Sequence, residues 1–359
     1  MEKLEKLKDK ATGLVNLAKK PEIEKNLDNK TAIRLISPEK GQELISQGWL
    51  AADLHVHTFY SYDVIPAPAV DPLFLYQKAK AMGLSFVSFT DHDTMEAYDR
   101  IGWTRENIIA GVEVKILDRK RVGHTVHINI YTLNKTQFRE VLEITGKAQD
   151  IESLIQYLKS EKLPFTFNHP FWHEPGERLR AEAVVEIAEL FPVLEYNMGR
   201  IKKLNRMVLD LARAKNKGVV ASTDSHTGEI GRVFTLAEGS TFQEFFASIK
   251  EGQGWLVTED LTYDRIKAEI FKRLDMLIDK QSWVMGGENL NMSTGNAIVD
   301  KIIKTLGNKE ENTRATEKAF GKLLKLLVRS ISHSGLPATL YLRQQNQLAS
   351  QVKEDLQVV

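Results

Sequence analysis

Cysteine is absent from the 359 residues. That excludes disulfides and thiolate ligands, so any bound metal must sit on nitrogen and oxygen. The absence also fits a reducing compartment. No apolar run approaches the roughly 18 residues needed to cross a bilayer. Residues 1–20 are charged throughout and lack the apolar centre of a signal peptide. The chain therefore reads as soluble and cytoplasmic, with no membrane partner. An excess of charge is lacking too. The 49 basic residues balance 48 acidic ones, which leaves no general pull toward nucleic acid or anionic lipid. No repeat of solenoid period is present. What the chain does have is 42% hydrophobic residues, enough for a sizeable core. Its length suits one large domain with additions, or two to three average ones.

Three textures follow one another. Residues 1–48 are rich in Lys and Glu and read as an N-terminal helical extension. Leu4, Leu7, Ala11, Leu14, Val15 and Ala18 form one apolar stripe, and Ser37-Pro38-Glu39 marks a further helix start. In residues 49–258 short β-branched runs alternate with amphipathic stretches. Strands are predicted at 51–57, 84–90, 108–114, 126–131, 165–168, 193–197 and 219–223, and helices at 72–82, 151–161, 181–190 and 202–216. Thr241 with Glu244 resembles a capping box. The alternation predicts an α/β fold on a parallel sheet, open or closed into a barrel. Residues 259–359 return to a charged, mainly helical texture, with helices predicted at 264–279 and 315–329. Met285-Gly286-Gly287 and Ser334-Gly335-Leu336-Pro337 read as breaks, and the polar tail from Gln344 reads as a fraying end.

The histidines are concentrated. Eight of nine lie between residues 55 and 226, most of them at predicted strand ends. His55 and His57 end the first strand, His92 follows the second, Glu113 closes the third and His127 lies in the fourth. His169 follows the fifth strand, and Asp224 and His226 follow the seventh. In a parallel barrel all strands open to one mouth, so such residues converge. Residues two apart on a strand share a face, so His55-Val56-His57 can chelate one ion or bracket two. A lone His is more often a satisfied core or surface residue. Six or seven at one mouth would crowd polar groups that only a metal obviously compensates. Imidazole suits zinc, iron and manganese, and a carboxylate can bridge neighbouring ions.

Together these segments resemble the PHP family, named for polymerase and histidinol phosphatase. Asp53–Thr58, Thr90–Thr94, Asn168–Pro170 and Thr223–His226 match its four signature blocks in order, over residues 50–240. The resemblance implies a distorted TIM-like (β/α)7 barrel and a centre of two or three divalent ions of zinc, manganese or iron. Carried over position by position, it implies His55, His57, Asp63, His92, Glu113, His127, His169, Asp224 and His226 as metal ligands. Asp63 fills a position that is Asp or His among relatives, and Glu113 is the carboxylate shared between two ions. No ligand is missing, which implies a working site. His124 and His127 compete for one position. Three apart, they face opposite ways on a strand. His127 is preferred because it lies inside the run 126–131, whereas His124 follows Gly123.

Such a centre supplies hydroxide from bound water near neutral pH and offsets charge as a phosphate leaving group departs. The chain is therefore read as a metal-dependent phosphoesterase, acting on a phosphomonoester of a small molecule or nucleotide, with hydroxide held between the ions as nucleophile. Asp93 and His173 are candidates to protonate the leaving group; the plainer readings are orientation of a ligand and a surface loop. Arg200 and Arg232 are candidates to hold phosphate with two donors, or else surface ion-pair partners. Lys115 and Lys202 are weaker candidates, and Asn197 reads as a polar residue closing a turn. Lys318, Lys322, Lys325 and Arg329 make a basic stripe, preferred as a solvated helix face over an anion-binding surface. Two rivals stay open: an exonuclease-like phosphodiesterase, which a neutral chain argues against, and a non-catalytic module. The helical extensions could pack on the barrel, cap its mouth or mediate self-association.

Overall fold

In a computed structural model, the residues described are 33–278, 330 and 334–357. The apolar stripe from Leu4 to Ala18, the break at 285–287 and the predicted helix 315–329 with its basic stripe lie outside them. Among the described residues the strands are β1 (Arg34–Ile36), β2 (Leu50–Val56), β3 (Phe86–Phe89), β4 (Gly111–Ile116), β5 (Val126–Tyr131), β6 (Phe165–Phe167), β7 (Val193–Asn197), β8 (Gly218–Ser222), β9 (Phe234–Ala237) and β10 (Trp255–Val257). The helices are α1 (Pro38–Ser46), α2 (Pro72–Ala81), α3 (Glu96–Ile101), α4 (Lys135–Glu143), α5 (Ile151–Ser160), α6 (Ala181–Ile187), α7 (Lys202–Lys215), α8 (Phe242–Lys250), α9 (Tyr263–Ile278) and α10 (Leu336–Gln357).

The strands form two five-stranded sheets, ordered β1-β10-β9-β2-β3 and β4-β5-β6-β7-β8. Both are mixed rather than parallel as expected. β9 runs antiparallel to β10 and β2, and β5 antiparallel to β4 and β6. For β4 and β5 the cause is local. Only residues 117–125 join them, too short for the crossover of a dozen or more residues that a parallel pair needs. The reversal matters for the site. It places His127, near the start of β5, opposite Lys115, near the end of β4.

Isolated bridges join the two sheets. Val87 pairs with Ile108 and His92 with Glu113 on one side, and Val56 pairs with Ser225 on the other. Tyr98 from α3 fills the first seam. Its hydroxyl accepts N–H bonds from Phe89 (3.0 Å) and Gly111 (2.8 Å) and donates to the Phe89 carbonyl (2.6 Å). At the second seam the Asp224 amide donates to the His55 carbonyl (2.8 Å), and the His57 amide to that of Ser225 (3.0 Å). Two site segments are thereby pinned by backbone, which leaves their side chains little freedom.

Ser37 caps α1, accepting from the Lys40 amide at 3.3 Å, where the sequence placed a helix start. Thr241 caps α8, but the Glu244 carboxylate reaches back to the Ser240 amide (2.7 Å) instead of completing the box on Thr241. The strands missed by the sequence are β1, β9 and β10, each of three or four residues, too short to show a period. Because β1 pairs with β10, Arg34–Ile36 join the first sheet, and the helix α1 follows them. The predicted third strand starts late, at Gly111, since Ile108 makes only an isolated bridge. From Gln344 to Gln357 the tail does not fray: α10 carries it and packs on α9, α6 and α7, burying Gln345, Ala349 and Val352. Among the described residues no helix is long and apolar enough to cross a membrane.

Candidate metal centre

β2 ends in a sequence whose every side chain is buried, including Asp53, His55 and His57. A buried strand of this kind would ordinarily be apolar, so each polar group needs a partner. Asp53 accepts from the Thr223 amide (3.2 Å) and hydroxyl (2.7 Å), and Asp91 from the Thr58 amide (2.6 Å) and hydroxyl (2.7 Å). Burial pushes these two carboxyls up to about 7 and about 6. They staple the ends of β2, β3 and β8 together, and so fix the strand termini from which the site is built.

Glu113, on β4, lies at the centre. One carboxylate oxygen is 3.1 Å from His55 Nε2, 3.2 Å from His57 Nε2 and 3.3 Å from His92 Nδ1. The other is 3.1 Å from His127 Nδ1, 3.3 Å from His169 Nε2 and 2.8 Å from Asn168 Nδ2. Asp224 Oδ1 is 3.4 Å from His55 Nε2 and 3.2 Å from His57 Nε2. Asp63 Oδ2 is 2.7 Å from His226 Nε2 and 3.5 Å from His92 Nε2. All nine residues singled out by the resemblance thus meet in one cluster. His57, Asp63, His92 and His226 form one set of convergent donors, His55, His57 and Glu113 a second, and His92, Glu113 and His127 a third, each within 4.8 Å.

The hydrogen bonds on the far side of the rings decide what fits between them. His226 Nδ1 faces the Asp224 carbonyl at 2.9 Å, so it carries the ring hydrogen and Nε2 presents a lone pair to the Asp63 carboxylate. His55 Nδ1 donates to Glu195 at 2.6 Å, which turns its Nε2 lone pair toward His57 Nε2, 3.1 Å away. Lone pairs aimed at lone pairs and carboxylates repel unless cations lie among them. Carboxylate–histidine pairing of this kind is how proteins orient metal ligands. The residues present fit divalent ions.

Electrostatics say the same. Burial opposes charging the His57 ring, but bonds to Asp224 and Glu113 outweigh it and raise the ring to about 10. His127 rises to about 9 against burial, through Glu113 and Glu174, and His55 rises through Glu113, Glu195 and Asp224. Glu113, Asp63 and Asp224 are held well below the usual carboxylate range by the facing rings, despite burial. The cluster thus demands positive charge, from protons or from metal. Its backbone is unusual as well: His169, Asp224 and Asp93 have φ of 26°, 49° and 51°, a region that costs a non-glycine residue about 1–3 kcal/mol in the strained cases found at functional sites.

Sequence reasoning missed Glu195. Fully enclosed on β7, it bonds His55 Nδ1, the Ser222 hydroxyl (2.6 Å), the His169 amide (2.8 Å) and Asn197 Nδ2 (3.1 Å). The available signal was an acidic residue inside the otherwise apolar run Val193–Asn197, since Glu is almost never fully buried unless paired. Glu195→Gln would place an amide where four donors now converge and disturb the His55 tautomer. The expected result is metal affinity about 10–100-fold weaker, read by competition with a chromophoric chelator. Unchanged affinity would deny Glu195 its orienting role.

The remaining candidates separate. Asn197 closes a turn, its Oδ1 accepting from the Gly199 amide (2.8 Å), and also bonds Asp224 through Nδ2 (3.0 Å). Asp93 accepts from the Lys115 amide at 3.4 Å, and its carboxyl is pushed up by burial. His173 Nδ1 bonds the Glu174 carbonyl (2.9 Å), while the Glu174 carboxylate reaches His127 Nε2 (3.2 Å). His124 stands outside the cluster, and burial pushes it down to about 4. Arg232 grips Glu259 with two bonds (2.9 and 2.7 Å), and Lys202 pairs with Asp260 (2.5 Å). Both are held in ion pairs. Lys115 donates to the Tyr62 hydroxyl (3.0 Å), and Tyr62 stacks on His92 with centroids 4.9 Å apart. Arg200 lies over Trp172 (5.3 Å), which packs edge-on against His127 and His169.

By structure the chain is similar to PsfC from Pseudomonas syringae PB-5123, with TM-score 0.48 and 18% identity over 64% of this chain and 99% of that one. It is similar to a protein of Bifidobacterium adolescentis described as a candidate metal-dependent phosphoesterase, with TM-score 0.38 and 18% identity over 55% and 96%. It is also similar to an amidohydrolase from Chromobacterium violaceum, with TM-score 0.35 and 15% identity over 55% and 96%. No curated protein matches the chain. The PHP domain family matches residues 53–259, more than half of the chain and the whole of the histidine cluster. The chain belongs to the PHP domain family, and its site supports a metal-dependent hydrolase.

Proposed function

We propose that the chain is a phosphoesterase that cleaves a phosphomonoester of a small molecule or nucleotide, using two or three divalent ions of zinc, manganese or iron. The observation that carries this reading is the division of labour at Glu113, one oxygen toward His55, His57 and His92 and the other toward His127 and His169. A carboxylate so placed suits a bridge between ions. Bound ions would activate water and offset charge on the phosphate. The protein's own part is to hold the ligands, with Asp63, Asp224 and His226 completing the set, and to keep His55 and His226 in the tautomers that aim Nε2 inward. Arg200 is the cation assigned to the phosphate. It stands over Trp172, its charge helps depress His169, and its Nε has no hydrogen-bond partner among the described residues. Asp93, with its raised carboxyl, is preferred over His173 as proton donor to the leaving group. The bonds across both seams support a sheet curved into a distorted barrel.

The test is hydrolysis of p-nitrophenyl phosphate by purified protein loaded with manganese, zinc or iron, paired with elemental analysis. We expect two or three ions per chain, turnover after loading and none after chelation. Cleavage of an oligonucleotide but no monoester would replace this reading with a nuclease. Activity on neither, with metal bound, would leave a non-catalytic module.

A further inference from the structure

We infer that the C-terminal helix α10, which lies beyond the residues matched by the family, sets the position of Arg200, and that Tyr341 is its positioning residue. The inference rests on the assignment of Arg200 to the phosphate. Residues 198–201 join β7 to α7 and follow directly on Asn197, which bonds Asp224 and Glu195. The segment carries Arg200 and is held from outside by one face of α10. The Tyr341 hydroxyl donates to the Gly199 carbonyl (2.7 Å) and accepts from Arg200 Nη1 (3.4 Å). Gln345, one turn on, shares that face. Its Nε2 donates to the same hydroxyl (3.1 Å), and its Oε1 accepts from the Ile201 amide (3.4 Å). Asn346 accepts from Lys203 Nζ (3.2 Å).

Helix packing alone does not require this arrangement. Ala338, Ala349 and Val352, on either side of Tyr341 along α10, are the buried apolar contacts, and a Phe at 341 would pack as well as a Tyr. What the hydroxyl adds is one bond to the Gly199 carbonyl, just before Arg200, and one to the guanidinium itself. An arginine has many rotamers, and ordering it at the moment of binding costs affinity. Tyr341 and Trp172 order it beforehand, one by hydrogen bond and the other by stacking.

The experiment is a double-mutant cycle of Tyr341→Phe and Arg200→Ala in the full-length, metal-loaded chain. Steady-state kinetics on p-nitrophenyl phosphate would be combined with competition by inorganic phosphate. Tyr341→Phe is expected to raise KM and the phosphate inhibition constant about tenfold, the scale of a bond to a charged group. Metal content should be unchanged and kcat within about twofold, since the metal ligands are untouched. In the Arg200→Ala background the same change should have no effect, because the group it positions is gone. Equal effects in both backgrounds, or none in the first, would overturn the inference. Should the wild type neither turn over the ester nor bind phosphate, the phosphoesterase reading fails by itself. Hydrogen exchange at the 199–201 amides then judges the brace. Faster exchange in Tyr341→Phe upholds it, and identical exchange removes it.

Discussion

Glu113→Gln is expected to strip the protein of at least one metal ion per chain and to lower its hydrolytic rate by at least about 1000-fold. The substitution keeps the shape of the side chain and changes two things. It removes a negative charge from a buried cluster in which five imidazoles face that one carboxylate. It also replaces one oxygen by an amide that can only donate, directed at ring nitrogens that already need a cation between them. Loss of an outer partner costs metal affinity about 10–100-fold, and loss of the central carboxylate should cost more. Asp93→Asn is the matched control. Asp93 is likewise a carboxylate, but it is only half-buried and accepts a long bond from the Lys115 amide, so its substitution should leave the metal count intact while slowing turnover. Elemental analysis decides between them. A full metal complement in Glu113→Gln would refute a bridging role, whatever happened to the rate.

How far the site could be read beforehand follows from the kind of signal each residue gives. His55 and His57, and Asp224 and His226, are pairs two apart at the ends of apolar runs, and the spacing alone puts each pair on one face. That they meet across 169 residues needs the seam bonds from the Asp224 amide to His55 and from the His57 amide to Ser225, which no local pattern encodes. In the sequence His127 stands out from His124 by lying inside an apolar strand run. The reason it faces the cluster is different: β5 runs antiparallel, so the start of that strand, not its end, lies at the mouth. Strand direction is a tertiary property, and the alternation of strands and helices by itself points to a parallel sheet. Glu195 and Glu174 gave weaker signals. One is a lone acid within an apolar strand and the other sits beside a more conspicuous histidine. Arg232 and Arg200 looked equivalent in sequence. Only the placement of Glu259 against the first and Trp172 under the second tells them apart. Short strands such as Arg34–Ile36 escape for another reason, since their pairing partner lies more than 200 residues away.

The metal-free protein should lose stability as pH rises, and the metal-loaded protein should not. Without ions, His57 titrates near 10 and His127 near 9, both raised by neighbouring carboxylates against the opposing effect of burial. An unfolded histidine titrates near 6.5. A raised folded value means that protonation favours the native state, so this stabilisation is fully present below pH 6.5 and is lost as pH climbs through 9 and 10. The metal-free melting temperature should fall by at least about 5 °C between pH 7 and 10, because rings that lose their protons leave Glu113, Asp63 and Asp224 facing one another without compensation. Bound ions take over that compensation and need neutral rings, so loading must expel the protons. At pH 7.5 metal binding is expected to release between one and about three protons per chain, measured by titration calorimetry in two buffers of different ionisation enthalpy. The gap between loaded and metal-free melting temperatures should therefore widen with pH. A metal-free melting temperature flat from pH 7 to 10, with no proton release on loading, would show that the rings are neutral without metal. The charge demand read from the Glu113 cluster would then be wrong.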